Sequence, residues 1–283
     1  LESRLPQAVT ALLCGCSLAV CGLMLQAVFR NPLADPSILG ISSGAGLGVA
    51  FVMLLYGGSV SVGMLSIGGF ATVLAAAFIG ATAVTLLMFS LSSIIRSDAM
   101  LLIAGVMVGY LSSSIIVLLS YYASEEGLRA YTLWGMGNFA SVSTERLPLF
   151  SIIAIVCLSA SVLLVKSLNI LSLGTLYAEN LGVNTRQLRG TVLIVTGILT
   201  ALTTSFCGPV AFIGLAVPHI ARMALHTDDY RKLLPATILT GGGVAMACNL
   251  ACTMTPSGTM LPVNAVTPVI GAPVILYVMT KRR

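Results

Sequence analysis

The chain has 283 residues, 57% of them hydrophobic and only 8% charged, with a net charge of +5 and a mean hydropathy of +1.03. A typical globular domain carries roughly 25% charged residues, so a soluble fold could not cover its surface here, and the composition is that of an all-α polytopic membrane protein. No basic patch interleaved with aromatics occurs, which sets nucleic acid aside as a partner.

Residues 1–6, LESRLP, lead abruptly into an apolar run, without the basic n-region and short h-region of a cleavable signal. So abrupt an opening leads us to expect a segment upstream of residue 1. A bilayer crossing needs about 20 helical residues, and nine candidate spans follow in order: 5–29, 37–56, 60–93, 99–121, 147–167, 189–207, 209–225, 233–253 and 263–279. They form one transmembrane domain over 1–283. The third is too long for a perpendicular crossing and is expected to tilt or project. The seventh, GPVAFIGLAVPHIARMA, is interrupted by Gly208, Pro209, Gly214 and Pro218, and a broken helix is predicted there. Such breaks are tolerated at membrane depth mainly where protein or an aqueous cavity covers them.

Between spans one and two lies RNPLADPS, residues 30–37. Pro32 and Pro36 fix their own φ and push Asn31 and Asp35 out of the helical region, so the chain must turn. Span two opens with GISSGAGLG, in which Gly40, Gly44 and Gly48 recur every fourth residue, a pattern that lets helices approach closely in lipid. Residues 40–44 also match GxSxG, but the strand–turn–helix of a nucleophile elbow is missing. An intramembrane dyad of Ser42 or Ser43 with His219 is the serine-protease alternative; the glycine spacing already explains these residues as packing.

Two loops are long. Residues 122–146 contain the sole tryptophan, Trp134, read as an aromatic anchor at the membrane interface. Residues 172–189, SLGTLYAENLGVNTRQLR, are patterned: Leu176, Leu181 and Val183 can share an apolar face, Gly182 can end one short helix and Asn184 can cap the next. Two short amphipathic helices at the membrane surface make a docking surface; the alternative is a plain solvated connector.

Alternate loops and ends divide the basic residues unequally. One set holds Arg30, Arg96, Lys166, Arg186, Arg189, Arg222, Arg231, Lys232, Lys281, Arg282 and Arg283, and the other only Arg4, Arg129 and Arg146, which together account for all 14. The positive-inside rule makes the first set cytoplasmic, with the C-terminus inside.

No GxxxxGK[ST] and no Gly-Lys pair occur, so a P-loop for ATP is excluded, and no HExxH is present. The seven cysteines all lie in apolar runs and read as small residues at helix contacts, the alternative being metal or redox pairs at Cys14/Cys16 and Cys248/Cys252. No catalytic residue and no metal site are expected. A self-sufficient secondary transporter needs membrane-embedded ionisable groups, whereas nearly every charge here falls in a loop or at a span end. A transport pathway with an external energy source fits better; an ion-coupled secondary transporter is the runner-up.

Six stretches, RLPQAVTALLCGCSLAVCGLMLQAVFRNPLADPSILGISSGAGLG, LLIAGVMVG, LGTLYAENLGVNTRQLR, GPVAFIGLAVPHIARM, TDDYRKLLPA and LPVNAVTPVIGAP, together resemble the permease family of bacterial ABC importers for iron–siderophores, haem and vitamin B12. The resemblance runs from residue 4 to about 278. Its members have ten helices per subunit, which implies one helix before residue 1. It implies a multi-pass protein of the bacterial inner membrane. It also implies a homodimeric pathway working by alternating access, two ATP-binding partner subunits, and a periplasmic or lipid-anchored substrate-binding protein. ATP and Mg would sit on the partner ATPase, and this chain would bind no cofactor. By the same likeness Ser172, Leu173, Gly174, Glu179, Leu181, Gly182 and Val183 would couple to the ATPase, with Thr175 where many members have glutamate. Asn31, Pro32, Leu33, Ser97 and Asp98 would form the cytoplasmic gate, unless the corner only reverses the chain. Arg4, Arg129 and Arg146 would dock the binding protein, unless Arg4 simply snorkels. Gln7, Asn249 and Thr253 depart from the family pattern, replacing an arginine, an aspartate and an arginine. His219 is expected to be a structural partner at the broken helix.

Overall fold

The computed structural model describes residues 4–56, 60–62, 65–67, 69–95, 97–254 and 260–281. Helix α1 (Arg4–Phe29) is the axis of the fold, buried almost throughout its length, as expected of a helix that is apolar all round. Its neighbours are α9 (Thr185–Cys207), α10 (Ile213–Leu225) and α11 (Tyr230–Thr253). Helix α9 is buried too, although threonines recur along it. Thr196, Thr200 and Thr203 each return the hydroxyl to the carbonyl four residues back, at 2.7, 2.7 and 2.9 Å. The polar groups are thereby satisfied within the helix.

Helices α2 (Ile41–Tyr56) and α3 (Gly69–Ile94) pair closely. A Cβ on Gly80 would lie 2.1 Å from the Gly44 carbonyl oxygen, so the two backbones touch and only glycine fits. Gly44 and Gly48 face α3 as the spacing predicts. Gly40 does not share that face: it precedes the helix at φ +75° and packs on Gly105 of α4 (Asp98–Tyr122).

The predicted third span, 60–93, is corrected. Val60–Val62 and Leu65–Ile67 pair antiparallel, Val62 opposite Leu65, and the helix begins only at Gly69. Val-Ser-Val and Leu-Ser-Ile alternate with period two and are rich in β-branched residues, a strand pattern that overall hydropathy hides. Span two starts at Ile41, because Ile38 and Gly40 donate back to Asp35 and Ser37 in turns. Span six starts earlier, at Thr185.

The 122–146 loop is largely structured. It holds α5 (Glu125–Gly135), capped by Ser124, and a 3-10 turn at Phe139–Ser141. Trp134 is half-buried and stacks on Tyr131 at 6.2 Å, packed against protein. Helix α6 (Leu147–Leu163) bends by 47° into α7 (Val165–Ser172), which is followed by α8 (Thr175–Asn180); α12 (Val263–Lys281) closes the chain. Among the described residues, α1, α3, α4, α9 and α11 are long and apolar enough to cross a membrane, with α6–α7 a sixth if the bent pair counts once. The second and seventh predicted spans are shorter apolar helices of 16 and 13 residues, and the ninth is α12, 19 residues long with Pro268 and Pro273 inside it.

Candidate functional site

Hydrogen bonds gather Arg30, Arg186, Arg189 and Arg222 at one end of the bundle, the basic end, with the corner at 30–37 among them. The corner is tightly self-bonded. Asn31 Oδ1 accepts from the Leu33 amide at 2.9 Å, Ala34 donates to the Asn31 carbonyl at 3.0 Å, and Asp35 accepts from both the Ser37 amide and its hydroxyl. Outside contacts lock it to α10 and α7. The Pro32 carbonyl lies 2.9 Å from His219 Nε2, which donates to it when protonated at that nitrogen. Arg30 donates to the Leu171 carbonyl at 3.3 Å. Gln26 donates to the Leu215 carbonyl and accepts from Arg222 at 2.7 Å, and Arg222 pairs with Asp228 at 3.6 Å. His219 is thus the structural partner expected at the broken helix, engaged with the corner through this ring nitrogen.

Asp35 is 7% exposed. Burial pushes its carboxyl above the ordinary value, against the opposing pull of the two Ser37 donors. Its Oδ1 would lie 2.3 Å from a Cβ on Gly214, so the carboxyl rests on the first turn of α10. The break before that helix is as predicted: α9 stops at Cys207, Gly208 and Phe212 take positive φ, and α10 runs for 13 residues with Pro218 inside.

The other two predicted gate residues have different partners. Ser97 caps α4, its hydroxyl accepting from the Met100 amide at 3.4 Å. Asp98 forms an ion pair with Arg189 of α9. The structure therefore ties Ser97–Asp98 to α9 and Asn31–Leu33 to α10. Sequence reasoning missed both Arg189 and the Gln26–Arg222 link, whose partners are 91 and 196 residues apart.

The segment 172–189 carries the two cap signals read from it. Gly182 takes φ +82°, its amide donates to the Glu179 carbonyl, and the Val183 amide reaches the Ala178 carbonyl at 3.0 Å. That pair of bonds is a Schellman ending. Asn184 Oδ1 then accepts from the Gln187 amide at 3.0 Å. What it caps is corrected: the second helix is long α9, so the surface pair is α7 and α8. Leu173, Leu176, Tyr177 and Leu181 point outward, between 54% and 78% exposed, so the expected face of Leu176, Leu181 and Val183 is divided, Val183 alone packing on the core. Ser172 ends α7, its hydroxyl on the Asn169 carbonyl; Gly174 takes φ +130°; Glu179 accepts from Thr185 at 2.7 Å.

At the opposite end Asn264 is a hub. Its Nδ2 donates to the carbonyls of Gly135 (3.1 Å) and Pro209 (2.6 Å), and its Oδ1 accepts from the Ala211 amide (3.2 Å). One side chain therefore satisfies the backbone of the α9–α10 break and holds it to α5 and α12. Arg4 and Arg129 are exposed, whereas Arg146 lies 4.1 Å over the Phe70 ring. Gln7, 5% exposed, donates to Asn249 at 2.8 Å. No cluster of three metal-binding side chains occurs among the described residues.

The model of the FecCD transport family matches residues 1–281. The chain belongs to the FecCD transport family. It is similar to the vitamin B12 import system permease protein BtuC of Photorhabdus laumondii, 33% identical over 287 residues that cover 100% of this chain and 82% of the relative. It is equally similar to the hemin transport system permease protein HmuU of Yersinia pestis, 33% over 284 residues, covering 100% and 83%. Its fold matches a solved metal-chelate type ABC transporter in an inward-facing conformation, with a TM-score of 0.87 and 30% identity over 99% of this chain and 88% of the other. PsaBC from Streptococcus pneumoniae in complex with Fab matches at a TM-score of 0.65 and 15% identity, a likeness of fold. FecCD membership makes the chain a multi-pass membrane permease of the ABC importer type.

Proposed function

We propose that this FecCD chain is the membrane-spanning subunit of an ATP-driven importer that moves a metal chelate, an iron–siderophore, haem or cobalamin, inward by alternating access. The relatives' names supply the substrate class, and the bias of basic residues supplies the orientation, basic end and C-terminus cytoplasmic. The observation that carries the reading is α8. Leu176 and Tyr177 stand outward on this short helix, flanked by Leu173 before it and Leu181 at its capped C-terminal end, an exposed apolar surface at the basic end shaped to enter a partner's groove. Ser172, Leu173, Gly174, Glu179, Leu181, Gly182 and Val183 would couple two permeases to two ATPase subunits, which carry ATP and Mg; this chain binds no cofactor and performs no covalent chemistry. Asn31, Pro32 and Leu33, moving with α10 through His219, and Ser97 and Asp98, moving with α9, would form two separately anchored halves of the cytoplasmic gate. Arg4 and Arg129, both exposed, would meet a periplasmic binding protein, and Arg146, held on Phe70, would contribute less.

The test is co-purification from membranes with native partners, comparing the wild type with a chain carrying Leu181→Asp and Gly182→Pro. One ATPase per permease, lost in the variant, is the expected result. Equal recovery with both chains would show that these are not the coupling residues. No ATPase on an intact permease dimer would favour ion-coupled uptake instead.

A further inference from the structure

Beside the first turns of α9, on the side away from α8, lies a groove of about 450 Å³ between α3 and α9. Its floor is mostly apolar, and the hydroxyls of Ser92, Ser93 and Thr191, which also line it, are turned back onto carbonyls of their own helices. Gly190 leaves a notch that the Phe89 ring overlies, since a Cβ on Gly190 would sit 2.8 Å from Phe89 Cε2, and Ile194 continues the wall. Phe89 and Ile194 are each 40% exposed, on flanks where α3 also exposes Leu86 and Leu87 and α9 exposes Ile198. In a membrane-spanning chain, apolar faces exposed in this way suit contact with lipid acyl chains. From Arg186 to Ile194 the wall rises eight residues, about 12 Å along the helix.

The mouth of the groove is polar and positively charged. Arg186, exposed, stands there with Asn184 and Gln187. Arg186 donates one N–H to the Ser93 carbonyl and forms no salt bridge among the described residues, so most of its five donors and its full charge remain to face outward. No aspartate or glutamate lines this groove. The adjoining cavity on the other side of Arg186 differs, because Glu179 and Asp98 line it and disfavour an anion.

An apolar channel about a dozen ångströms long, open to lipid and ending at a guanidinium at the membrane surface, matches one kind of molecule in both its halves. We propose that this groove binds a single anionic phospholipid, its acyl chain along Phe89, Gly190 and Ile194 and its phosphate on Arg186. A basic side chain near the surface contributes about 1 kcal/mol toward an anionic headgroup, a factor of roughly five. The proposal rests on the chain being embedded in a membrane and on no feature of the ATPase or the substrate.

Native mass spectrometry of the detergent-purified permease, with whatever partners co-purify, tests it by titration with phosphatidylglycerol and with phosphatidylcholine of matched chains. The wild type should retain the first phosphatidylglycerol preferentially. Arg186→Gln should lower that preference roughly fivefold, Arg186→Lys should largely keep it, and Arg231→Gln, an exposed arginine outside the groove, should leave it unchanged. An unchanged ratio in Arg186→Gln, or equal retention of the two lipids by the wild type, overturns the proposal. So does equal binding of dihexanoyl and dipalmitoyl phosphatidylglycerol, because the groove would then hold no chain. Displacement of the lipid by millimolar inorganic phosphate would make the site one for free anions and likewise overturn it. Co-purification of the ATPase reads the importer assignment separately, so either can fail alone.

Discussion

Replacing Gly22 by alanine tests the tightest backbone approach at any glycine among the described residues. Pro218 has no amide hydrogen, so the Gly214 carbonyl four residues earlier lacks its helical donor. That carbonyl is turned against α1: a Cβ on Gly22 would lie 1.7 Å from its oxygen and 2.5 Å from its carbon. A carbon–oxygen contact needs about 3.3 Å, so α1 and α10 would have to part by about 1.6 Å at this point. A gap of even 0.5–1 Å forfeits about a quarter to a half of each dispersion contact along the seam. Overpacking of this kind costs about 1–3 kcal/mol, against which alanine recovers roughly 0.5–1 kcal/mol of helix preference. Gly243→Ala is the matched control, because that helical glycine is exposed and has nothing within 4 Å of its added Cβ. At roughly 2–4 °C per kcal/mol, Gly22→Ala should melt several degrees below the wild type in detergent, and Gly243→Ala at or above it. Because α10 carries His219, the same change should speed amide exchange at Leu33 and Ala34 in the corner. If the two alanine variants melt together, the helices are not in backbone contact and the account of the corner's anchorage fails with it.

Removing the corner's tether directly, by His219→Leu, should cost about 1–3 kcal/mol for the orphaned Pro32 carbonyl and raise exchange at the same amides; protection equal to wild type would sink the tether. Asp35 predicts a pH dependence. Its carboxyl holds its proton to higher pH in the folded state than in the unfolded chain, so its contribution is fully present below the ordinary carboxylate pKa and is lost as pH rises through the raised folded value. Asp35→Asn should therefore flatten the melting temperature across that window and raise it at neutral pH, and parallel curves would mean that the carboxyl is well solvated. Asn264→Ala should destabilise by about 1–3 kcal/mol by leaving the Pro209 carbonyl and Ala211 amide without partners. Asn264→Asp should do no better, since it loses both donors; full stability in either variant would show that the break does not depend on this side chain.

What could be read from the sequence was local chemistry, and what could not was pairing. Two prolines in eight residues dictate the corner, Gly182 and Asn184 dictate a helix end and a helix start, and Gly208-Pro209 dictates a break; each acts within a few residues of its own position, and each stands where expected. The misread stretch 60–67 is also local, and its period-two alternation was available but was outweighed by hydropathy. Helix α5 was missed for a similar reason: Ser124 followed by two glutamates is a helix start, but a lone tryptophan drew the reading toward the membrane interface. The partners of His219, Asp98, Gln26 and Gln7 lie 91 to 242 residues away, and no spacing rule reaches that far. Gln7 and Asn249 show what this hides. Read along the chain, they are two separate departures from the family's charged residues. In the fold they are one part-buried hydrogen bond of 2.8 Å between neutral amides, with Gln7 itself 5% exposed. A single charge left at so buried a position without its partner would cost about 3–5 kcal/mol. In this chain the neutral pair holds α1 to α11 without burying a charge at that contact.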